Sequence, residues 1–277
     1  MKISIITVSY NSASTIEQTI RSVIEQSYSN IEYIIIDGGS TDGTVDIIRR
    51  YADKIAYWRS EDDDGIYDAM NKGIQVATGD YIQIIGSDDC LCSTSTIQQV
   101  VDSIDAGTDI FSAARYEVDE KRRIQILTTN ETAKNVRPNT LPWMPHTGIF
   151  VKSSYMKTHL FDTSYKIGAD YKFILSAYMD KNVVFQYVDF PVAYFSLAGV
   201  SNSISSELKE ENNRLFTELR LKENFGVEDF SMNRNEIKIK IKLLLKKMNL
   251  LDFALCRFGK WEKHTCDYEF CRWCGRQ

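Results

Sequence analysis

The chain has 277 residues, 43% of them hydrophobic, with a formal net charge of −5 and a pI near 5.4. That is enough apolar mass for one large α/β domain with an appendage or for two modest domains, and the acidic balance leaves no basic footprint for nucleic acid, which is excluded as a partner. The charge is split: residues 236–277 hold ten Lys or Arg against five Asp or Glu, net +5, which leaves −10 for residues 1–235.

The opening "MKISIITVSYN" turns polar at Ser9, so it reads as a first strand over 2–8 rather than as a secretion signal. Residues 12–26 carry Ile16, Ile20, Val23 and Ile24 at helical spacing, with Ser12 or Ser14 as the cap. "IEYIIIDGG" is the near-continuous apolar run that a strand covered on both faces needs, and "STDGTVDIIRRYA" follows as a helix with an acidic first turn. A short strand is predicted over 55–58. "GIYDAMNKGIQVA" then places Ile66, Met70, Ile74 and Ala77 on one helical stripe, and 81–85 returns to strand.

This alternation predicts a mostly parallel sheet with right-handed crossovers, whose ligand crevice lies outside the carboxyl ends of the strands. Asn11, Asp37 and the adjacent Asp88 and Asp89 each follow an apolar strand, so three polar clusters are expected on one rim. Turns are rich in Asp for local reasons, and that plainer reading stands beside the functional one. Further on, a helix is expected over 96–106 and a strand over 109–115. "YEVDEKRRIQILT" reads as a hairpin with "DEKR" at its turn. Residues 128–145, with Pro138, Pro142 and Pro145, read as an ordered connection, 168–177 as a helix and 183–187 as a strand. "SLAGVSNSISS" is a loop before a helical 207–224, and there is no internal repeat.

"GDYIQIIGSDD" ends a buried run on two carboxylates, which must face water, be paired or hold a cation. A diphosphate leaving group needs its charge neutralised, and Mg²⁺ or Mn²⁺ held by one or two carboxylates plus phosphate oxygens does this. In "DGGSTDGT", Asp37 closes the second strand, the glycines allow close approach, and the helix start favours an anion or its own carboxylate Asp42. A tight strand-to-helix turn accounts for the same residues. The acid run 61–64 reads equally as a solvated face, and Asp68 with Lys72 as an i,i+4 helix pair.

In order and spacing, "TVSYNSASTIEQTI", "DGGSTDGT", "DDGIYDAMNKGI", "ATGDYIQIIGSDD", "HTGIFVKSS" and "GADYKFI" resemble glycosyltransferase family 2, in the subgroup that builds bacterial capsule, O-antigen or exopolysaccharide. The resemblance covers roughly residues 1–205. It implies an α/β GT-A fold, a Rossmann-like, mostly parallel central sheet flanked by helices, with a nucleotide-sugar half over 1–115 and an acceptor half over 116–205. It also implies a nucleotide-sugar donor, a UDP-sugar by preference, with Mn²⁺ or Mg²⁺, and direct displacement that inverts the anomeric carbon. The acceptor it implies is a glycan or an undecaprenyl-type lipid-linked sugar.

Carried over residue by residue, the resemblance has Asp37 contacting the base, with Thr7, Tyr10 and Asn11 lining its pocket. Asp64, Asn71 and Lys72 close around the nucleotide. Asp88 meets ribose or sugar hydroxyls, and Asp89 is the metal ligand, with Ser87 standing where the familiar D-x-D form has its first acid. Asp170 is the implied catalytic base, with Ala169 in place of the common Glu, and His146 is a donor on the acceptor or pyrophosphate side. An acceptor hydroxyl must lose its proton as it attacks, so a carboxylate within hydrogen-bond reach is required. A helix-start carboxylate and a satisfied structural histidine are the plain alternatives for Asp170 and His146. "GVS" at 199–201 resembles a loop that closes over donor.

Two other functions compete. A sugar nucleotidyltransferase needs a Gly/Arg/Lys-rich loop after the first strand, and "TVSYNSAS" has neither glycine nor a basic residue. A carbohydrate-binding protein on the same fold would bind a donor without consuming it.

Residues 206–277 are expected as a basic, helical, Cys-containing extension. Within 236–258, Ile237, Ile241, Leu244, Leu245, Met248, Leu251 and Leu255 gather at helical spacing, with Lys238, Lys242, Lys246 and Lys247 toward other faces. That pattern suits a helix on an anionic membrane surface, and equally one packed on its own domain or on a second copy in a homo-oligomer. No apolar stretch approaches the roughly 20 residues of a spanning helix. The expected location is therefore cytoplasmic, peripheral on the inner face of a bacterial membrane. Cys90 and Cys92 follow the paired aspartates, while Cys256, Cys266, Cys271 and Cys274 crowd the end, a usage that disfavours a disulfide-stapled scaffold. His264 with the last three could bind zinc, but a single C-x-x-C knuckle favours free or redox-labile thiols.

Overall fold

The computed structural model describes residues 1–118, 123–127, 141, 144–197, 206–226 and 262–263. Strands β1 (Ile3–Ser9), β2 (Ile31–Asp37), β3 (Tyr57–Ser60) and β4 (Tyr81–Gly86) lie parallel in the order β3-β2-β1-β4. Helices α1 (Ile16–Ile24), α2 (Thr44–Arg50) and α3 (Ile66–Val76) are the crossovers between them. The chain continues through β5 (Cys90–Leu91), α4 (Thr96–Ser103), β6 (Ile110–Val118), β7 (Arg123–Leu127), β8 (Ile149–Lys152) and α5 (Ser153–Thr158). It then forms α6 (Ala169–Met179), β9 (Phe185–Ser196), α7 (Ser206–Glu218), α8 (Leu221–Phe225) and β10 (Glu262–Lys263).

Past β4 the sheet becomes mixed. Its main path is β10-β7-β6-β8-β4-β1-β2-β3, with β8 antiparallel to β4 and β6, and β9 parallel to β6. The strands expected to flank "DEKR" pair antiparallel as β6 and β7, while 119–122 themselves lie outside the described residues.

The period-2 pattern sends alternate strand residues to two cores. Ile3, Ile5, Tyr33, Ile35 and Ile85 face α1, α2 and α4 through Ile16, Ile20, Ile48 and Ile97. Ile6, Val8, Ile34, Ile36, Ile82 and Ile84 face the opposite layer, built on Met70, Ile74, Met156, Phe173, Leu215 and Leu221. Each fully buried Ile contributes about 1.5–3 kcal/mol relative to exposure, so the central strands are the most strongly placed part of the fold. Gly73 lets α3 settle on β1, because a Cβ there would meet Ile6 Cγ2 at 2.6 Å.

Several element bounds differ from the sequence reading for identifiable reasons. Helix α1 starts at Ile16, and neither Ser12 nor Ser14 caps it; the Ser12 carbonyl accepts from Thr15 and Ile16 in a turn instead. Strand β9 runs through Pro191, tolerated because its pairing with β6 is irregular beside Ala114. The helical stretch after 205 breaks at Arg220, whose φ is 46°. Strand β6 crosses the expected junction at 115/116, and Leu215 and Leu221 close the core under α3 and α6, so the start of the expected extension packs as part of the main body. The "GVS" loop, most of the 128–145 connection, the basic segment 236–258 and the terminal Cys/His cluster lie outside the described residues. Among the described residues, no helix is long and apolar enough to cross a membrane.

Candidate active site

The parallel strands end in register, with Ser9 opposite Asp37, Asp37 opposite Ser60, and Val8 opposite Gly86. The loops that follow β1, β2 and β4 are therefore neighbours. Asn11, at φ 47°, donates its N–H to Ser40 Oγ at 2.7 Å and accepts from Thr41 N at 2.9 Å. Ser12 Oγ meets Ser87 Oγ at 2.7 Å, and Ala13 N donates to Asp42 Oδ2 at 2.9 Å. Tyr10, 66% exposed, stands over this rim.

Register also decides the surroundings of Asp37. Its carboxylate is fully buried and takes four donors: Ser9 Oγ at 2.8 Å, Ser60 Oγ at 2.7 Å, Ser40 Oγ at 2.6 Å and Ser40 N at 2.9 Å. Both oxygens thus tie three strand ends together. Thr7 is likewise fully buried, with its hydroxyl 3.1 Å from Tyr33 Oη.

The acidic loop 61–64 closes over the β2 loop, an approach that Gly39 permits: its φ is +77°, and a Cβ there would lie 2.5 Å from Asp62 Oδ1. Asp64 is exposed; its N–H donates to Asp68 Oδ2 at 3.2 Å and its carbonyl accepts from Lys166 Nζ at 3.3 Å. Lys72 pairs with Asp68 at 2.9 Å and with Glu61 at 3.5 Å. Asn71 is buried and its amide is spent on one backbone: Nδ2 donates to Phe161 O and Oδ1 accepts from Phe161 N, both at 2.9 Å. That pairing holds α3 to the loop before α6.

Asp88 and Asp89 both turn a carboxylate oxygen toward Gly86 at the end of β4, where a Cβ would lie 3.0 Å from Asp88 Oδ1 and 3.1 Å from Asp89 Oδ2. Asp89 is 2% exposed, with Oδ2 accepting from Gly86 N at 3.1 Å and Oδ1 from Ser196 N at 3.0 Å. Burial, with Asp88 beside it, pushes its carboxyl up to about 8, against the pull of those two N–H groups and of Arg115. Asp88 is half-buried. An enclosed carboxyl engaged by backbone on both oxygens does not favour the metal-ligand role expected of Asp89, and Asp88 is the more open of the two acids.

On the other flank, α3 and α6 bring Tyr67 and Asp170 together. The Tyr67 hydroxyl shares its one proton between the Ile167 carbonyl and Asp170 Oδ1, the latter at 3.0 Å. Asp170 Oδ2 lies 3.8 Å from His146 Nδ1. Burial lowers the His146 pKa more than Asp170 raises it, with Arg115 acting in the same direction as burial, so the imidazole is neutral at pH 7. Arg115 is itself buried, stacked 3.8 Å over the Phe195 ring and paired with Glu117 at 2.9 Å. Below Asp170 and His146 an apolar pocket is lined by Met70, Ile84, Met156, Phe161 and Phe173.

Tyr67 was not among the residues singled out from sequence. Its signal was there, because it falls with Met70 and Ile74 on the inward stripe of "GIYDAMNKGI".

Comparisons with known proteins agree with this architecture. The model for "Glycosyl transferase family 2" matches residues 4–166. An uncharacterized glycosyltransferase of Mycobacterium tuberculosis is 32% identical over 184 residues, covering 63% of this chain and 68% of the relative. A PGL/p-HBAD biosynthesis glycosyltransferase of Mycobacterium bovis is 27% identical over 223 residues, 73% of this chain and 79% of that protein. Among solved structures, S. aureus TarS 1-349 in complex with UDP-GlcNAc superposes with a TM-score of 0.62 at 19% identity, over 80% of this chain and 66% of that one. The longer TarS chain is spanned over only 39% of its length. A mannosyltransferase from Pyrobaculum calidifontis in complex with GDP-Man and Mn²⁺ gives a TM-score of 0.55 at 20% identity, over 77% of this chain and 60% of that one.

Proposed function

The chain belongs to glycosyltransferase family 2, and from that premise we propose that it is an inverting transferase that moves a sugar from a nucleoside-diphosphate donor to a glycan or lipid-linked hydroxyl in bacterial surface polysaccharide assembly. One observation carries the reading. Neighbouring residues at the end of β9 touch both flanks, Ser196 N donating to Asp89 Oδ1 at 3.0 Å and the Phe195 ring meeting His146 edge-on with centroids 6.2 Å apart, which supports one crevice for the acids after β4 and the Asp170 flank.

On this reading the nucleoside lies over the loops after β1 and β2, with its diphosphate toward Asp88. Asp170 Oδ2, the oxygen that Tyr67 does not hold, receives the acceptor proton as the hydroxyl oxygen attacks the anomeric carbon. The bond from that carbon to the diphosphate oxygen breaks as the new glycosidic bond forms, its electron pair leaves with the diphosphate, and the carbon inverts. Neutral His146, beside Asp170, is suited to hydrogen bonding with the incoming sugar without adding charge.

A divalent ion fits the rim. Glu61, Asp62, Asp63 and Asp64 follow β3 and Asp88 follows β4, so a diphosphate laid across these strand ends would be repelled without a counter-charge. Among the described residues no three His, Cys, Asp or Glu side chains gather to hold an ion, so Asp88 needs phosphate oxygens to complete a site, which matches the habit of Mg²⁺ and Mn²⁺. Bound there, the ion would supply positive charge to the departing diphosphate. Uridine is the proposed base, supported by the UDP-GlcNAc complex of TarS, and Mn²⁺ by the GDP-Man complex of the mannosyltransferase. The basic segment 236–258, from its sequence, is proposed to hold the enzyme on an anionic membrane, which sedimentation with anionic and neutral vesicles would test.

The direct test incubates the purified chain with Mn²⁺ and a panel of UDP-, GDP- and dTDP-sugars and measures free nucleoside diphosphate with and without a lipid-linked glycan. Release from one donor, stimulated by acceptor and lost with EDTA, is expected. Release at the uncatalysed rate from every donor would sink the proposal.

A further inference from the structure

Asp170 is held by more than its own helix. Glu211, on α7, turns its carboxylate toward three successive backbone N–H groups just ahead of α6: Lys166 N donates to Oε1, and Ile167 N and Gly168 N donate to Oε2 at 3.0 and 2.9 Å. Gly168 is the N-cap of α6, and Asp170 follows in its first turn. The Ile167 residue is thus gripped twice, its N–H by Glu211 and its carbonyl by the same Tyr67 hydroxyl that donates to Asp170 Oδ1. Hydrogen bonds to a charged acceptor are roughly twice as strong as neutral ones, so this carboxylate is a firm clamp on a segment with no regular structure of its own.

The clamp is itself fixed. Leu215, one turn on from Glu211, is 1% exposed in the core. Glu218 pairs with Lys172 of α6 and with Arg214, both at 2.6 Å, while Lys172 also reaches Asp162 at 2.7 Å and Arg214 donates to Ser164 Oγ at 2.7 Å. Helix α7 is therefore registered against residues 162–172 at several points. A cap needed only for stability would have no reason to share a peptide with the hydroxyl that orients the base.

We propose that Glu211 is a positioning residue for the transfer step: it fixes residues 166–168 so that Asp170 presents Oδ2 to the acceptor hydroxyl. This rests on the reading of Asp170 as the base. The test compares wild type, Glu211→Ala, Glu211→Gln, Asp170→Asn and the double variant Asp170→Asn/Glu211→Ala in the full chain. Three quantities are measured: diphosphate release from the active donor with Mn²⁺ and acceptor, UDP binding by calorimetry, and amide exchange of the peptide covering 164–172.

Glu211→Ala is expected to lower kcat about 10- to 100-fold while UDP binding stays within about twofold, since a small misplacement of a reacting group costs that much. Exchange at 166–168 should rise. Glu211→Gln keeps one acceptor oxygen for Ile167 and Gly168 and should recover most of the rate; if the Ala variant does not fold, Glu211→Asp, one methylene too short to reach the three N–H groups, replaces it with the same expected loss and the same overturning result. The double variant should be no slower than Asp170→Asn. Wild-type kcat in Glu211→Ala, or losses that multiply in the double variant, would overturn the positioning role alone. Wild-type kcat in Asp170→Asn would overturn the base assignment and this role with it.

Discussion

Tyr67 and Asp170 meet across 103 residues of sequence, the phenol donating to Oδ1 at 3.0 Å. Burial, then the Asp170 charge, raises the phenol pKa, so Tyr67 remains a protonated donor at any working pH. Tyr67→Phe keeps the ring packed on Phe161 and removes only the hydroxyl. Turnover is expected to fall about tenfold, the loss of roughly 1.4 kcal/mol of orientation, with UDP affinity unchanged. An unaltered kcat with both substrates saturating would show that the hydroxyl does not orient the base.

Asp88 and Asp89 should separate cleanly on mutation. Asp88→Asn is expected to abolish Mn²⁺-dependent UDP binding in a calorimetric titration with little change in Tm. Asp89→Asn keeps a side chain that can still meet Gly86 N or Ser196 N, so metal-dependent binding should survive with a loss of about 1–2 kcal/mol in stability. If the Mn²⁺ titration is lost with Asp89→Asn and intact with Asp88→Asn, the roles are the reverse of those assigned.

His146 predicts the sign of a pH effect. Its pKa is lowered from 6.5 on folding, chiefly by burial, so the unfolded chain binds this proton more readily than the folded one. The contribution to stability is then complete above about pH 6.5 and is lost as pH falls through the lower folded value. Tm should drop between pH 7 and 5 more steeply in wild type than in His146→Asn. Parallel curves for the two proteins would contradict the assignment.

Asn71 separates a structural from a nucleotide role. With Asn71→Ala, the Phe161 N–H and carbonyl lose their partner, at a cost of about 2 kcal/mol. For a chain of this size the corresponding fall in Tm is roughly 4–8 °C, and UDP affinity should be unchanged. A weakened UDP isotherm at an unchanged Tm would return Asn71 to the nucleotide.

Sequence alone determined the order of strands and helices in the first ninety residues, the two-faced burial of the central strands, and the polar clusters that follow β1, β2 and β4. Apolar periodicity reports burial, and the runs 31–36 and 81–85 admit no other placement. It could not decide which acid faces inward. Asp37 is enclosed because register sets Ser9 and Ser60 beside it, and Asp89 because β9 returns Ser196 to its carboxylate. Tyr67 and Glu211 reach the Asp170 segment only when α3 and α7 pack on the same layer. Periodicity is a property of near neighbours along the chain, whereas the donors around a buried carboxylate come from residues that only the folded sheet brings together, so the tertiary structure alone decided which acids are enclosed and which stay open.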